Sequence, residues 1–154
     1  MKKWWENEPL RFECQPDCFK CCTKPGIVHF DREDIRKAAA YLDFSIAEFK
    51  KTFLIRSDGE WVLEVGENGA PCNFLTDKGC GIHIAKPKQC HSYPFWRENM
   101  DSKNMWKLVG GFCPGIAIGL MIKIETIKTF LNRACFDYYF IHCFLCLIIQ
   151  LNLS

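Results

Sequence analysis

The sequence predicts a small α+β single domain, with short helices, a few short strands and a cysteine-rich metal-binding lobe. Three observations lead there. At 154 residues, 49% hydrophobic and 25% charged, the chain suits one domain with its own core. Capped helix signals alternate with short strand candidates along it. And 11 of its residues are Cys, eight of them clustered or set beside turn-formers rather than spread singly through apolar segments, where free Cys acts as a small hydrophobe.

Residues 1–11 read as an irregular lead-in, with Trp4 and Trp5 as lids on the body. Cys14-Gln15-Pro16-Asp17-Cys18-Phe19-Lys20-Cys21-Cys22 follows, and the expected form is a loop over Cys14–Pro16 running into a short helix over Asp17–Cys22. Proline fits the first turn of a helix but not its interior. Pro25-Gly26 ends that helix, and Ile27–Phe30 is a strand candidate. Asp31 with Asp34, and Ser45 with Glu48, form two capping boxes. The first opens a helix carrying Ile35, Ala38, Ala39 and Leu42, and the second opens one carrying Ile46, Phe49, Phe53 and Leu54. Ser57-Asp58-Gly59 breaks the second helix. Trp61–Val65 is the clearest strand, and residues 66–71 form a loop.

Asp77-Lys78-Gly79 between Cys72-Asn73-Phe74-Leu75-Thr76 and Cys80-Gly81-Ile82-His83-Ile84 predicts a hairpin that brings Cys72 and Cys80 near one another. Pro87 opens a short helix or turn reaching Cys90 and His91, and Ser92–Trp96 leads out as an extended aromatic stretch. A polar loop is expected over Arg97–Lys103, a strand over Met105–Val109, and a tight bend over Gly110–Gly115 with Cys113 at its apex. Glu125–Arg133 reads as a helix with Ile124, Ile127, Phe130 and Leu131 on its apolar side. The expected organisation is a metal-binding domain over 1–132 and an apolar helix or tail over 133–154. Within that tail Tyr138–Ile149 lacks charge, but is short of the ~20 residues that span a bilayer. A buried or partner-binding helix is therefore expected, and Cys135, Cys143 and Cys146 there read as packing residues.

The formal charge is only +2, so there is no basic footprint for nucleic acid. The start, Met1–Pro9, lacks the apolar run of a secretory signal. The expected location is the cytoplasm, where thiols stay reduced and clustered cysteines bind metal more often than they pair. Cys14, Cys18, Cys21, Cys22, Cys72, Cys80, Cys90 and Cys113 are the candidate ligands. Thiolates are soft donors, which favours zinc, iron or an iron–sulfur cluster and excludes magnesium and calcium. Eight sulfurs suffice for two four-sulfur sites, or for one site with helpers. Adjacent Cys21 and Cys22 point differently, so they serve two metals or leave one sulfur in the core. His91, Tyr93 and Lys86 are candidates for groups surrounding the sulfurs, whereas His83 reads as surface or core.

The Cys14-x3-Cys18-x2-Cys21 spacing also occurs in radical enzymes that cleave S-adenosylmethionine. Those need a large partial barrel that this chain is too short to supply. The chain also carries neither a phosphate-binding nor a dinucleotide-binding glycine loop.

The joint pattern resembles a family of bacterial and archaeal cysteine-cluster proteins described as zinc- or iron-chelating domains. It is carried by Cys14-x3-Cys18-x2-Cys21-Cys22, Gly26-Ile27-Val28, Asp34, Cys72-x-Phe74-Leu75, Gly79-Cys80-x-Ile82-His83, Lys86-Pro87-x2-Cys90-His91-x-Tyr93-Pro94-Phe95-Trp96 and Cys113-Pro114-Gly115-Ile116. That family usually has Arg-Pro and Cys-Arg where this chain has Lys86-Pro87 and Cys90-His91. It is similar to flagellin lysine methylases bearing the same cluster.

The resemblance implies binding of zinc or iron, as single ions or as a 4Fe-4S cluster. Two other functions stay open: a metal-dependent protein-modifying enzyme or lysine-methylation accessory, and a structural metal module that meets a protein partner through the apolar C-terminal segment.

Overall fold

The computed structural model of the protein describes residues 2–66 and 70–132. Its helices are α1 (Arg32–Tyr41), α2 (Ile46–Phe53), α3 (Lys88–Ser92), α4 (Arg97–Met100), α5 (Lys103–Phe112) and α6 (residues 124–132). Its strands are β1 (Arg11–Phe12), β2 (Gly26–Phe30), β3 (Ile55–Ser57), β4 (Glu60–Val65), β5 (Leu75–Thr76), β6 (Gly79–Cys80) and β7 (Ile116–Met121). The arrangement is α+β, as predicted. The tail over 133–154, with its three cysteines, and residues 67–69 of the expected loop lie outside the described residues. None of the described helices is long and apolar enough to cross a membrane.

Both capping boxes form. The Asp34 N–H donates to Asp31 at 2.8 Å while the Asp31 N–H donates back to the Asp34 carboxylate at 3.3 Å. Ser45 and Glu48 exchange the equivalent bonds at 3.2 and 3.1 Å. Each box satisfies backbone donors that a helix start leaves unpaired. Ile35, Ala38 and Ala39 share one face of α1 and are buried with Phe49 of α2.

These helices cover an antiparallel sheet of order β2-β4-β3. Strand β3 was not expected, since Ser57–Gly59 reads as a plain helix stop. Asp58 and Gly59 instead have φ of 48° and 82°, the paired positive values of a two-residue hairpin turn. That turn sets Ser57 opposite Glu60 and Arg56 opposite Trp61.

Two apolar cores result. The first joins Phe30, Ile35, Ala39, Phe49, Leu63, Val65, Phe74 and Ile82. The second joins Trp5, Leu10, Phe95, Met100, Trp106 and Ile127. Phe95 is fully buried, with its ring 5.4 Å from those of Phe12 and Trp106 and 5.6 Å from that of Phe130.

Four expectations around the second core need correcting. Residues 105–109 are helical, not a strand. Ser102 accepts from the Met105 N–H at 3.1 Å and starts α5, and Trp106, Val109 and Cys113 then follow one another at helical spacing. Gly110 and Gly111 belong to α5, so the bend is confined to Cys113–Gly115. Part of the polar loop is α4. The lead-in holds β1, which pairs with β7, a strand with no clear alternation in its burial.

Candidate metal centre

All eight candidate cysteines, none in a disulfide, line one cavity of about 320 Å3. Its walls draw on both cores, with Phe30, Leu63, Phe74 and Ile82 from the first and Phe12, which packs against the second. The lining contains Lys20, Lys24, Lys86 and His83 but, among the described residues, no carboxylate. That donor set suits a soft metal far better than a hard cation.

The cysteines are delivered by short elements that larger anchors hold in place. Hairpin β5–β6 has only two residues in each strand, too few for independent stability. Phe74 and Ile82 secure it in the first core, with the Phe74 ring 4.9 Å from Phe53 and 6.0 Å from Phe49. The Cys72 N–H donates to the Cys22 carbonyl at 2.8 Å, tying the hairpin arm to the cysteine cluster. Of the helix expected over Asp17–Cys22, only a single turn of 3-10 helix forms, at Lys20–Cys22.

Gly79 has φ of +98°, and a Cβ there would lie 2.4 Å from the Pro16 carbonyl. Only glycine lets the hairpin turn and the cluster loop approach so closely. On the second-core side, the Glu13 N–H donates to the Gly115 carbonyl at 3.0 Å, which sets Cys14 beside the Cys113 bend.

Helix α3 positions Cys90. Pro87 gives α3 no side-chain cap, and Asp34 of α1 fills that role by accepting from the Lys88 N–H at 3.2 Å. The neighbouring Asp31 carboxylate meets the Lys88 ammonium. Gln89 bonds along the free edge of β2, accepting from the His29 N–H at 2.9 Å and donating to the Ile27 carbonyl at 3.0 Å.

Cys21, Cys72 and Cys80 act most strongly on Cys22, whereas Cys113 feels the charges of Cys18 and Cys14. Sharing hydrogen bonds with Cys22 draws Cys21 down to about 6 and Cys80 to about 7, and lowers Cys72 as well, while Cys22 itself is driven up. Desolvation pushes Cys90 up to about 12, and the charges of Cys21, Cys72 and Cys80 add to it.

Backbone amides also reach sulfur, each from two or three residues further along: Phe74 to Cys72, Ile82 to Cys80, and Gly115 and Ile116 to Cys113. Such donors stabilise a thiolate. Among the described residues, no three His, Cys, Asp or Glu side chains are drawn up as a ready cage for a metal ion.

Residues 13–114 match the family designated CxxCxxCC and described as "Putative zinc- or iron-chelating domain". The chain belongs to this family. No solved structure matches it. The match spans the whole cysteine set of this chelating domain, from just before Cys14 to just past Cys113.

Adjacent Cys21 and Cys22 both line the cavity, brought to it by a single 3-10 turn. Lys86 lies on the cavity with its ammonium 3.5 Å from the Cys14 sulfur. Tyr93 lines the cavity too, its phenol pushed up mainly by desolvation and then by Cys113, Cys21 and Cys18. His91 is not among the lining residues, and its ring packs 6.0 Å from that of Phe130. His83, read from the sequence as surface or core, has its Nε2 3.5 Å from the Cys14 sulfur and 3.4 Å from the Lys86 ammonium. The available signal was its spacing, three residues from both Cys80 and Lys86. It lies on a 3-10 turn, His83–Ala85, rather than on the expected strand.

Proposed function

We propose that this chelating domain holds zinc or iron as a single ion on Cys21, Cys22, Cys72 and Cys80. Cys14, Cys18 and Cys113, with His83 beside them, supply donors for a second ion, and Cys90 packs between as a neutral thiol. The observation that carries this reading is that these four cysteines line one cavity, with the Cys72 N–H bonded to the Cys22 carbonyl at 2.8 Å. A four-thiolate tetrahedron with bonds of about 2.3 Å sets its sulfurs about 3.8 Å apart. Side-chain rotation within the shared cavity brings the four sulfurs to that spacing. A four-iron cubane needs its cysteines further apart. Bound metal would stabilise a segment with little regular structure, since a site absent from the unfolded chain couples binding to folding. Eight unpaired thiols fit a reducing compartment, and we place the protein in the cytoplasm on that ground.

Anaerobic purification followed by metal and acid-labile sulfide analysis, with a visible spectrum, tests the reading. Stoichiometric zinc or iron without labile sulfide is expected. Labile sulfide with a broad visible band would replace the single ion by a cluster. Metal-free protein with paired thiols would overturn chelation altogether.

A further inference from the structure

A second depression, of about 250 Å3, is lined by Arg32, Ile35, Ile46, Lys50, Arg56 and Trp61. None of these residues lines the thiol cavity. We propose that it binds a phosphate-type oxyanion, either inorganic phosphate or the phosphoryl end of a small phosphate ester.

The sequence builds this site from three places. Arg56 and Trp61 are cross-strand partners on β3 and β4, so their side chains lie on one face. The Arg56 guanidinium sits 5.1 Å from the indole centroid, and the Lys50 ammonium of α2 sits 5.0 Å from it, both within cation–π range. Lys50 follows Ile46 by four residues and so shares its helix face. Arg32 opens α1, with Ile35 three residues on. The result is an apolar floor of Ile35, Ile46 and indole, with three cations at the rim.

Among the described residues none of these cations has a carboxylate partner. Most acids nearby in sequence are engaged elsewhere: Asp31 with Lys88, Glu33 with Arg36 and Lys37, Glu48 with Ser45, and Glu60 with His29 at 2.7 Å; Asp58, in the β3–β4 turn, forms no ion pair with Arg56. Three like charges round one depression repel unless an anion joins them, and the indole holds two of them in place beforehand. Two guanidinium forks and an ammonium match a tetrahedral dianion better than a single carboxylate. The volume is under the ~300 Å3 at which pockets begin to enclose drug-sized ligands. That suits the ion itself or the head of an ester, and not a whole nucleotide.

The test is a heteronuclear NMR titration of the full, metal-loaded chain at pH 7.5 and fixed ionic strength, using inorganic phosphate, glycerol phosphate and, as reference, chloride. The Trp61 indole N–H resonance is assigned through Trp61→Phe. A saturable shift of that resonance with phosphate or with the ester, absent with chloride, is expected. In Arg32→Gln/Arg56→Gln the affinity should fall by at least about tenfold with metal content unchanged, and Arg56→Lys, which keeps charge but loses the fork, should fall between. Tighter binding of inorganic phosphate would mark the free ion as ligand, and tighter binding of glycerol phosphate would mark the ester. A shift that chloride reproduces, or a double variant that binds as the parent does, would overturn the proposal. The variants' thermal midpoints separate lost binding from lost folding.

Discussion

The backbone of Cys72 is bonded to the backbone of Cys22, N–H to carbonyl, at 2.8 Å. Fifty positions separate them in the chain. That bond ties the hairpin arm to the cluster loop through the backbone, whatever the state of either thiol.

Cys22 is central to the proposed four-cysteine site, so Cys22→Ser is expected to lose most of the metal bound there. Cys90 is outside that site, and Cys90→Ala should retain most of its metal. Metal analysis of the two purified variants, alongside the parent, checks this. Equal retention by both would remove Cys22 from its central role.

Gly79→Ala would set a Cβ 2.4 Å from the Pro16 carbonyl, and Gly115→Ala would set one 2.4 Å from the Glu13 carbonyl. Backbone atoms cannot swing aside as a flexible side chain does. Each substitution should cost ~2 kcal/mol or more and reduce metal content. Gly59→Ala, at φ +82° but in open space, should cost about 1–2 kcal/mol and leave metal content unchanged. Urea unfolding with metal analysis separates the two behaviours.

Gln89→Ala removes two hydrogen bonds from the edge of β2. A loss of ~1–3 kcal/mol is expected, with faster hydrogen exchange at the His29 amide. Gln89→Glu should not rescue it, because a carboxylate oxygen would then face the Ile27 carbonyl where an amide donated.

Removing the metal should loosen the cluster first. Between Cys14 and Cys22 the only regular structure is one 3-10 turn, and Lys20 and Lys24 are exposed. A strong chelator should accelerate tryptic cleavage after Lys20 well before the sheet and α1–α2 are attacked, while Lys24, followed by Pro25, resists the protease. Mass spectrometry of the early fragments reports the order.

The Arg36 guanidinium, hydrogen-bonded to Glu33, holds that carboxyl at about 2. A carboxyl lowered in the folded state contributes stability above its unfolded value of about 4.3, and that contribution disappears as pH falls from there through about 2. Arg36→Ala should therefore flatten this part of the acid limb of the stability curve, measured by denaturant unfolding at a series of pH values. The pair is exposed, so the change is expected to be small.

Much of the scaffold was legible because its signals are local. The capping boxes at Asp31 and Ser45, the turn before Cys80 and the strand through Val62 each depend on neighbours within a few residues. The errors came where a distant partner decides. Met105–Val109 looks like a strand until Ser102 is seen capping it and Trp106 is seen meeting Phe95. Strand β7 shows no clear alternation, because its bulged pairing with β1 breaks the two-residue rhythm. The one local sign at His83 was its spacing from Cys80 and Lys86, and its place beside Cys14 depends on β5–β6 and on the fixing of Glu13 to Gly115.

By itself the sequence determined which atoms are available: eight thiols near turn-formers, in a pattern specific enough to name the family and its soft-metal chemistry. The tertiary structure alone decided that those thiols meet in one cavity. The Cys72 arm reaches Cys22 because Phe74 and Ile82 anchor the hairpin in the first core. Cys14 lies beside the Cys113 bend because Glu13 is bonded to Gly115 and Phe12 packs on the second core. Spacing along a chain limits which residues can meet, but the packing of two separate cores selects which of them do.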